Sequence, residues 1–261
     1  MASSIFVVRH GDRFDFDMGW ENWKVSCHPE CVHDPPLSDL GLTMAIETSK
    51  ILASAICPNG EPISKVISSP FLRCIQTAHP TATCLQLPLL LDHALFEVPF
   101  RGEYLPPPIE RLKYFPQIST SYESSLYPQS PEPYPEGSID RYMNAAYVLA
   151  RRFENENIVL VTHAAGVMSI VASLTQSSVC DIPPASPCGI YRLDLQIDSE
   201  ESSTEQGEPS QLRYSLATDF SGSVSHLSVI GKTTPWPMAG VRQFDDSFIS
   251  AGSTPPWKVT T

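Results

Sequence analysis

The sequence predicts an α/β fold, a doubly wound and mostly parallel sheet with an antiparallel edge strand and helices on both faces. Short apolar segments alternate with segments of helical periodicity from residue 5 to residue 174. Two alternating segments then follow and predict a late hairpin, and the chain contains no internal repeat. Because 42% of the 261 residues are hydrophobic, a substantial core is available, and we expect one domain over residues 1–261.

The first strand and helix are predicted from the N-terminal sixty residues. The apolar, β-branched run Ile5–Val8 is typical of a central strand, and it ends at Arg9-His10-Gly11. Residues 12–37 have no steady period and predict a long irregular excursion. Ser38 is the expected N-cap of a helix that ends before Asn59-Gly60.

The second unit contains a strand, a helix and a third strand. Val66-Ile67 form the core of the second strand. Ser69 is the expected cap of the next helix, with Pro70 at its first position, so that Arg73 falls in the first turn. Pro80 is expected to break or restart this helix, and Leu87–Leu91 form the third strand.

Proline is unusually frequent, with 25 residues against 13 glycines, and predicts long ordered loops. Nine prolines lie in a Pro-rich insertion over residues 99–137, just after Phe96-Glu97-Val98. We expect this insertion to be mostly loop, with a short helix near residues 109–114. It is a candidate lid over a pocket or a candidate surface for a partner.

The C-terminal half continues the alternation. Ser138 is predicted to cap a helix through Phe153, Ile158–Thr162 is a strand that ends at His163, and residues 166–174 are helical. Ile190–Ile197 and Leu212–Ala217 alternate like the strands of a hairpin.

The formal charge of −12 means that the overall electrostatic field of the protein repels nucleic acid and anionic membranes, so neither is an expected partner. Five of the acids lie in residues 198–209, which contain no base, so we expect an acidic, solvated hairpin loop there. No secretory signal or apolar run long enough to span a membrane is present, and the seven scattered cysteines suggest no disulfide framework. We therefore expect an intracellular protein, cytoplasmic or nuclear.

One group of residues has the types that bind zinc. Cys27, His28, Cys31 and His33 lie close together in the sequence, but no second Cys/His cluster follows at zinc-site spacing. We favour an ordinary cysteine-containing loop and keep a zinc site as the alternative.

Residues suited to phosphoryl transfer follow four predicted strands. His10 and His163 each come directly after a strand, Arg73 follows a third, and Glu97 a fourth. The carboxyl ends of parallel strands meet at one crevice, so these side chains are expected to converge. Arginine matches phosphate oxygens, imidazole can attack phosphorus, and a carboxyl group can protonate the leaving oxygen. Each residue alone has an ordinary structural explanation, and the pattern rests on their combination.

The motifs resemble the histidine phosphatase superfamily, also called phosphoglycerate mutase-like. Ile5–Gly11, Ser68–Ala78 and Leu160–His163 are the segments that show the resemblance. Arg13 and the stretch Asp34–Ser38 resemble the phosphatase domains of suppressors of T-cell-receptor signalling. The run Val-Thr-His-Ala-Ala is similar to one in the phosphatase-like domain of a yeast RNA polymerase III transcription factor subunit.

The resemblance implies a phosphomonoester hydrolase with a phosphoglycerate mutase-like fold. It implies that His10 is phosphorylated during turnover and that Glu97 is the acid for the leaving group, with no metal or cofactor required. The implied phosphate pocket has four side chains: Arg9, Arg13, Arg73 and His163. His163 is therefore expected to belong to both the catalytic and the phosphate-binding set.

Two questions about activity stay open at this level. The stretch Asp12–Phe16 differs from the Ser and Asn pattern of cofactor-dependent mutases, which favours a phosphatase. Four aromatic residues either pack within their loop or line a pocket for an aryl phosphate such as phosphotyrosine: Phe14, Phe16, Trp20 and Trp23. The alternative function is a catalytically weak or inactive phosphatase-like scaffold that binds protein partners in a larger complex.

Overall fold

The computed structural model describes residues 3–17, 19–102, 105–196 and 213–229. A six-stranded sheet runs in the order β3-β2-β4-β1-β5-β6. Its strands are β1 (Ser4–Arg9), β2 (Lys65–Ser68), β3 (Leu89–Leu91), β4 (Ile158–Thr162), β5 (Ile190–Leu195) and β6 (Tyr214–Ser223). The first four strands along this order are parallel to one another, β5 pairs antiparallel with β1, and β6 pairs antiparallel with β5. This mostly parallel sheet with antiparallel pairing at one edge confirms the predicted fold class.

Seven α-helices accompany the described strands: α1 (Phe14–Asp17), α2 (Trp20–Ser26), α3 (Asp39–Ser54), α4 (Leu72–Leu85), α5 (Pro108–Arg111), α6 (Glu136–Arg152) and α7 (Ala164–Thr175). Alternation along β1 distributes its side chains between two cores. Ile5 and Val7 face the core that α6 and α7 cover, whereas Phe6 and Val8 face the core of α3 and α4. None of the helices in the described part of the chain has the length and apolar character needed to cross a membrane.

Several local predictions were wrong. The excursion over residues 12–37 contains the two short helices α1 and α2. Helix α4 runs through Pro80 without a break, because side chains on both sides of Pro80 are buried in the core and outweigh one missing backbone hydrogen bond. Strand β3 begins after Pro88, which has no N–H for the ladder.

Two predicted helix caps were also wrong. Helix α4 begins at Leu72, and the Leu72 N–H donates to Asp34 Oδ1 at 2.6 Å instead of to Ser69. Helix α6 begins at Glu136, and Ser138 lies inside it and donates its hydroxyl hydrogen to Glu132. Asp34, distant in sequence, thus replaces the predicted serine at α4, whereas α6 begins after Pro135 without a side-chain cap.

The acidic loop at residues 198–209 and the last thirty residues lie outside the described residues. The prediction of one domain over residues 1–261 extends beyond those ranges and stays a prediction. The hairpin itself is present, although β6 reaches Ser223 and is longer than expected.

Candidate active site

The two histidines lie side by side because the two central strands end in register. Arg9 of β1 is paired with Thr162 of β4, and each strand is followed directly by a histidine. The rings of His10 and His163 are 5.4 Å apart between centroids and meet edge to face. Both are buried, with 2% and 0% of their surface exposed. The parallel pairing thus places both imidazoles in one crevice at the carboxyl edge of the sheet.

The loop that carries His10 is anchored against helix α3. Ser38 caps α3 as predicted, accepting from the Gly41 N–H at 3.0 Å, and it also donates to Asp12 Oδ2 at 2.6 Å. A Cβ on Gly41 would lie 2.1 Å from the Asp12 carbonyl oxygen, so only glycine permits this approach. The Gly11 N–H donates to the hydroxyl of Thr77 in α4, which fixes the loop on its other side.

The contacts of His10 determine which nitrogen can react. Its Nδ1 lies 2.8 Å from the Gly11 carbonyl oxygen, an acceptor, so Nδ1 carries the hydrogen and Nε2 keeps its lone pair. Burial, followed by the charges of Arg73 and Arg9, holds the pKa of His10 well below its usual range. His10 is therefore a neutral imidazole with an unprotonated Nε2, the form that a nucleophile requires.

Three arginines surround the histidines. Arg9 donates from Nη1 to the Ala185 carbonyl at 2.8 Å, and its Nε has no partner among the described residues. Burial, opposed by Glu97, lowers the pKa of Arg9 to about 10, which leaves it charged at neutral pH. Arg73 is 1% exposed and its guanidinium reaches both Glu97 and His163.

Arg13, the third arginine, is held by two hydrogen bonds to Asp15, at 2.9 and 2.7 Å. Burial and then the charge of Arg73 lower the pKa of Arg13, so the two cations are close enough to repel each other. The charge of Arg13 in turn helps to lower the pKa of both histidines. Arg13 therefore lies with the other predicted site residues, and its pairing with Asp15 was not foreseen.

Glu97 connects Arg73 to His163. Its Oε2 is 3.2 Å from Arg73 Nη2 and 3.0 Å from His163 Nδ1, and its side chain is 25% exposed. Burial opposes the ionisation of Glu97, but His163 and Arg73 outweigh it and hold the carboxyl pKa well below its usual range. Burial lowers the pKa of His163 to about 4, although Glu97 acts in the opposite direction. The described site thus holds an ionised carboxylate and two neutral imidazoles.

The segment that presents Glu97 is held by side chains of the sheet and of α6. Three consecutive backbone carbonyls, those of Ala94, Leu95 and Phe96, accept hydrogen bonds from one side chain each. The donors are Arg141, Thr162 and Tyr142. No sequence pattern pointed to them, since they come from distant parts of the chain.

Asp34 attaches the Pro-rich insertion to the helix that carries Arg73. One of its carboxylate oxygens caps α4 at Leu72, and the other accepts from Arg111 of α5 at 2.6 Å. Both members of this ion pair are buried, with 5% and 8% of their side chains exposed. The insertion is therefore part of the frame that positions Arg73.

Asp34→Ala is expected to lower the free energy of unfolding by roughly 3 kcal/mol or more, as measured by urea denaturation. The change removes a helix cap worth about 1 kcal/mol and leaves the Arg111 guanidinium buried without its carboxylate, which costs about 3 kcal/mol. Asp34→Asn keeps the acceptor for Leu72 and should lose less. Glu110→Ala, at an exposed neighbouring position, is the control. A loss for Asp34→Ala no larger than that of the control would contradict this role.

The donor set of the site suits an anion better than a cation. Among the described residues, one group of side chains of metal-binding type has its ligand atoms within 4.8 Å of one another: His10, Glu97 and His163. Three arginine charges beside them oppose a divalent cation. Cys27, His28, Cys31 and His33, the zinc alternative, do not form such a group in the described chain.

The four aromatic residues of the excursion separate into two groups. Trp20 is buried, and Trp23 is partly buried and donates from Nε1 to the Val32 carbonyl. Phe14 and Phe16 are 38% and 37% exposed. The Arg13 guanidinium lies 4.5 Å from the ring centre of Phe16, so this ring stands next to the cationic group.

Comparison with known proteins identifies relatives of this chain. The family model of the histidine phosphatase superfamily, branch 1, matches residues 5–203. The transcription factor tau 55 kDa subunit of Saccharomyces cerevisiae is 30% identical over 190 residues, which are 67% of this chain and 41% of that protein. The ubiquitin-associated and SH3 domain-containing protein B of Mus musculus is 26% identical over 209 residues, 65% of this chain and 32% of that protein. The chain thus spans less than half the length of these relatives.

A solved structure has the same fold. The ecdysone phosphate phosphatase of Bombyx mori, in complex with tungstate, superposes with a TM-score of 0.64 at 18% sequence identity. The superposition covers 92% of this chain and 99% of the other. At this identity the likeness concerns the fold.

Proposed function

The chain belongs to the histidine phosphatase superfamily, and on that premise we propose that it hydrolyses phosphomonoesters through a phosphohistidine at His10. The observation that carries the proposal is the state of His10, which is neutral, has Nε2 available and is surrounded by cationic side chains. Such a group can attack phosphorus, while the arginines stabilise the charge that spreads over the transferring phosphoryl oxygens.

In the first step, His10 Nε2 forms a bond to phosphorus as the bond from phosphorus to the leaving oxygen breaks. Arg9, Arg73 and Arg13 neutralise the phosphate oxygens, and the His163 Nδ1 hydrogen adds a donor on the same side. The leaving oxygen takes a proton from Glu97. In the second step, water attacks the phosphohistidine and gives a proton back to Glu97, which releases inorganic phosphate and restores His10.

Glu97 must gain a proton before it can act as the acid, because the pocket without substrate holds it ionised. A phosphate dianion bound to Arg73 would supply the reason for that gain. The dianion pairs with the positive charge of Arg73 that otherwise stabilises the Glu97 carboxylate, and it brings two negative charges close to that carboxylate. Both changes raise the pKa of Glu97. Substrate binding and protonation of Glu97 are therefore coupled in this mechanism. None of its steps requires a metal ion, because the charges and the proton come from five side chains besides Glu97: His10, Arg9, Arg73, His163 and Arg13.

We further propose an aryl phosphate, such as phosphotyrosine, as the preferred substrate. Phe16 exposes ring surface next to Arg13, which supports an apolar wall beside the phosphate pocket. The equally exposed Phe14 meets Trp23 edge to face. The burial of Trp20 supports loop packing for that residue instead. An aryl leaving group would contact the exposed rings, whereas a small acid would not.

A comparison of kcat/KM for a phosphotyrosine peptide and for 3-phosphoglycerate tests this preference. We expect the peptide to be hydrolysed with at least roughly tenfold higher kcat/KM, the value of an extra apolar contact. The variant Phe16→Ala should reduce the difference, and Val25→Ala, an exposed position on α2, is the control. A preference for 3-phosphoglycerate would overturn the proposal.

A phosphatase-like scaffold within a larger complex is the second candidate function, and the similarity to the yeast transcription factor subunit favours it. The charged, buried site argues for chemistry, since burying several unneeded charges is costly. Absence of turnover on a panel of phosphomonoesters, together with stable co-purification of a larger complex, would favour the scaffold. The nuclear or cytoplasmic location stays a prediction.

A further inference from the structure

We propose that Ser69 is a positioning residue of this site, whose hydroxyl holds the His163 ring with its hydrogen on Nδ1, directed at Glu97 and the phosphate position. The proposal rests on the proposed function for its catalytic consequence. Its structural content, the tautomer and orientation of His163, can be measured without any turnover.

The contacts of His163 define this tautomer. Ser69 Oγ lies 2.9 Å from Nε2, and Glu97 Oε2 lies 3.0 Å from Nδ1. An ionised carboxylate only accepts, so Nδ1 carries the hydrogen. Because burial keeps His163 neutral, Nε2 must then accept from the serine hydroxyl. Arg73 Nη2 at 3.3 Å from Nδ1 contributes charge beside this pair, and the Cys74 thiol, 3.6 Å from Nε2, is a much weaker donor.

Ser69 is placed by the sheet. Its backbone N–H donates to the Val161 carbonyl at 2.9 Å, one step beyond the pairing of Ser68 with Val161. This bond extends the β2-β4 ladder to the position next to the end of β4, where His163 follows. Because Asp34 caps helix α4, the Ser69 hydroxyl is directed to the imidazole instead of to the helix N-terminus.

The geometry of Ser69, His163 and Glu97 is that of a hydrolytic triad. The Ser69 oxygen, however, lies at Nε2 of His163, whereas Glu97 and Arg73 lie at Nδ1, so the serine is on the side of the ring away from the proposed phosphate position. Its effect on the reaction passes through His163, and the role is positioning.

Loss of the hydroxyl would leave the buried Nε2 lone pair without its donor. The other tautomer, with hydrogen on Nε2, would turn the Nδ1 lone pair toward the Glu97 carboxylate at 3.0 Å, and the two would repel each other. Either the ring or Glu97 must then move, and the phosphate pocket loses the Nδ1 donor.

The test compares Ser69→Ala with Ser68→Ala. Ser68 is equally buried and donates to the Ser69 carbonyl at 2.9 Å, so it is a matched control outside the site. We expect Ser69→Ala to lower kcat/KM for p-nitrophenyl phosphate by about 10- to 100-fold, by analogy with the partners that orient metal-bound imidazoles. Ser68→Ala should keep the wild-type value within about threefold. Ser69→Thr, which retains the hydroxyl, should recover most of the activity.

The ¹⁵N shifts of the His163 ring, assigned with a His163→Gln variant, report the tautomer directly. We expect protonated Nδ1 and unprotonated Nε2 in the wild type and a changed pattern in Ser69→Ala. An unchanged pattern in Ser69→Ala would overturn the proposal, whatever the activity. If Ser69→Ala does not fold, Ser69→Cys fills nearly the same volume with a weaker donor, and an unchanged tautomer and rate there would overturn it equally. Absence of turnover in the wild type would count against the proposed function. The proposal for Ser69 would then be decided by the tautomer measurement alone.

Discussion

His10→Ala is expected to abolish the hydrolysis of p-nitrophenyl phosphate, with a loss in kcat of roughly 10⁴-fold or more, the scale of losing a covalent nucleophile. The variant keeps the arginines and therefore phosphate binding, but it has no group to form the bond to phosphorus. Steady-state kinetics measure the loss, and rapid quenching of the wild type should reveal protein-bound, acid-labile phosphate that the variant lacks.

The control for this experiment is His28→Ala, because the His28 side chain is 68% exposed and lies outside the site. It should leave kcat unchanged. Undiminished turnover by His10→Ala would exclude the phosphohistidine mechanism, and the neutral state of His10 would then need another explanation.

Glu97→Gln is expected to slow hydrolysis of an alkyl phosphate by about 10²- to 10⁴-fold, the contribution of a general acid. The same change should affect p-nitrophenyl phosphate much less, because p-nitrophenolate leaves without protonation. Comparison of kcat for the two substrates in both proteins makes the measurement, with Glu110→Gln at an exposed position as the control. Equal losses on both substrates would mean that Glu97 only orients Arg73 and His163.

The pH dependence of anion binding separates these two roles of Glu97 further. Sulfate remains a dianion over the working range, so changes in its affinity report protein groups. Since the pKa of Glu97 is low in the free protein and rises beside a bound dianion, binding takes up a proton and weakens as pH increases through the higher value. Glu97→Gln should remove this part of the dependence. A pH profile identical in both proteins would contradict the coupling.

The strand ends could be predicted from sequence because each is a local pattern. An apolar run followed by a polar residue marks the end of a buried strand, and parallel strands bring their ends together, which places His10 beside His163. Arg73 was expected in the first turn of its helix and lies there, although the helix begins at Leu72. The wrong cap had no effect on the prediction for Arg73, since a shift of two residues leaves it in the same turn.

The partners of these side chains could not be predicted, because they come from distant parts of the chain. Asp34 precedes Leu72 by 38 residues, and the Arg111 that pairs with it comes from the Pro-rich insertion. Ser69 carries an ordinary capping signal, and only the competing carboxylate of Asp34 changes its role. Propensities describe what a residue offers its neighbours in sequence, whereas these contacts depend on neighbours in space.

The sequence by itself determined the fold class, the family resemblance and the residue types that gather at the candidate site, because apolar periodicity and short motifs lie in consecutive residues. The tertiary structure decided their chemical states. Burial and three nearby arginines keep His10 neutral, and contact with Arg73 and His163 keeps Glu97 ionised. A charge state depends on desolvation and on distances of a few ångströms between groups far apart in the chain, and only the folded molecule sets those distances.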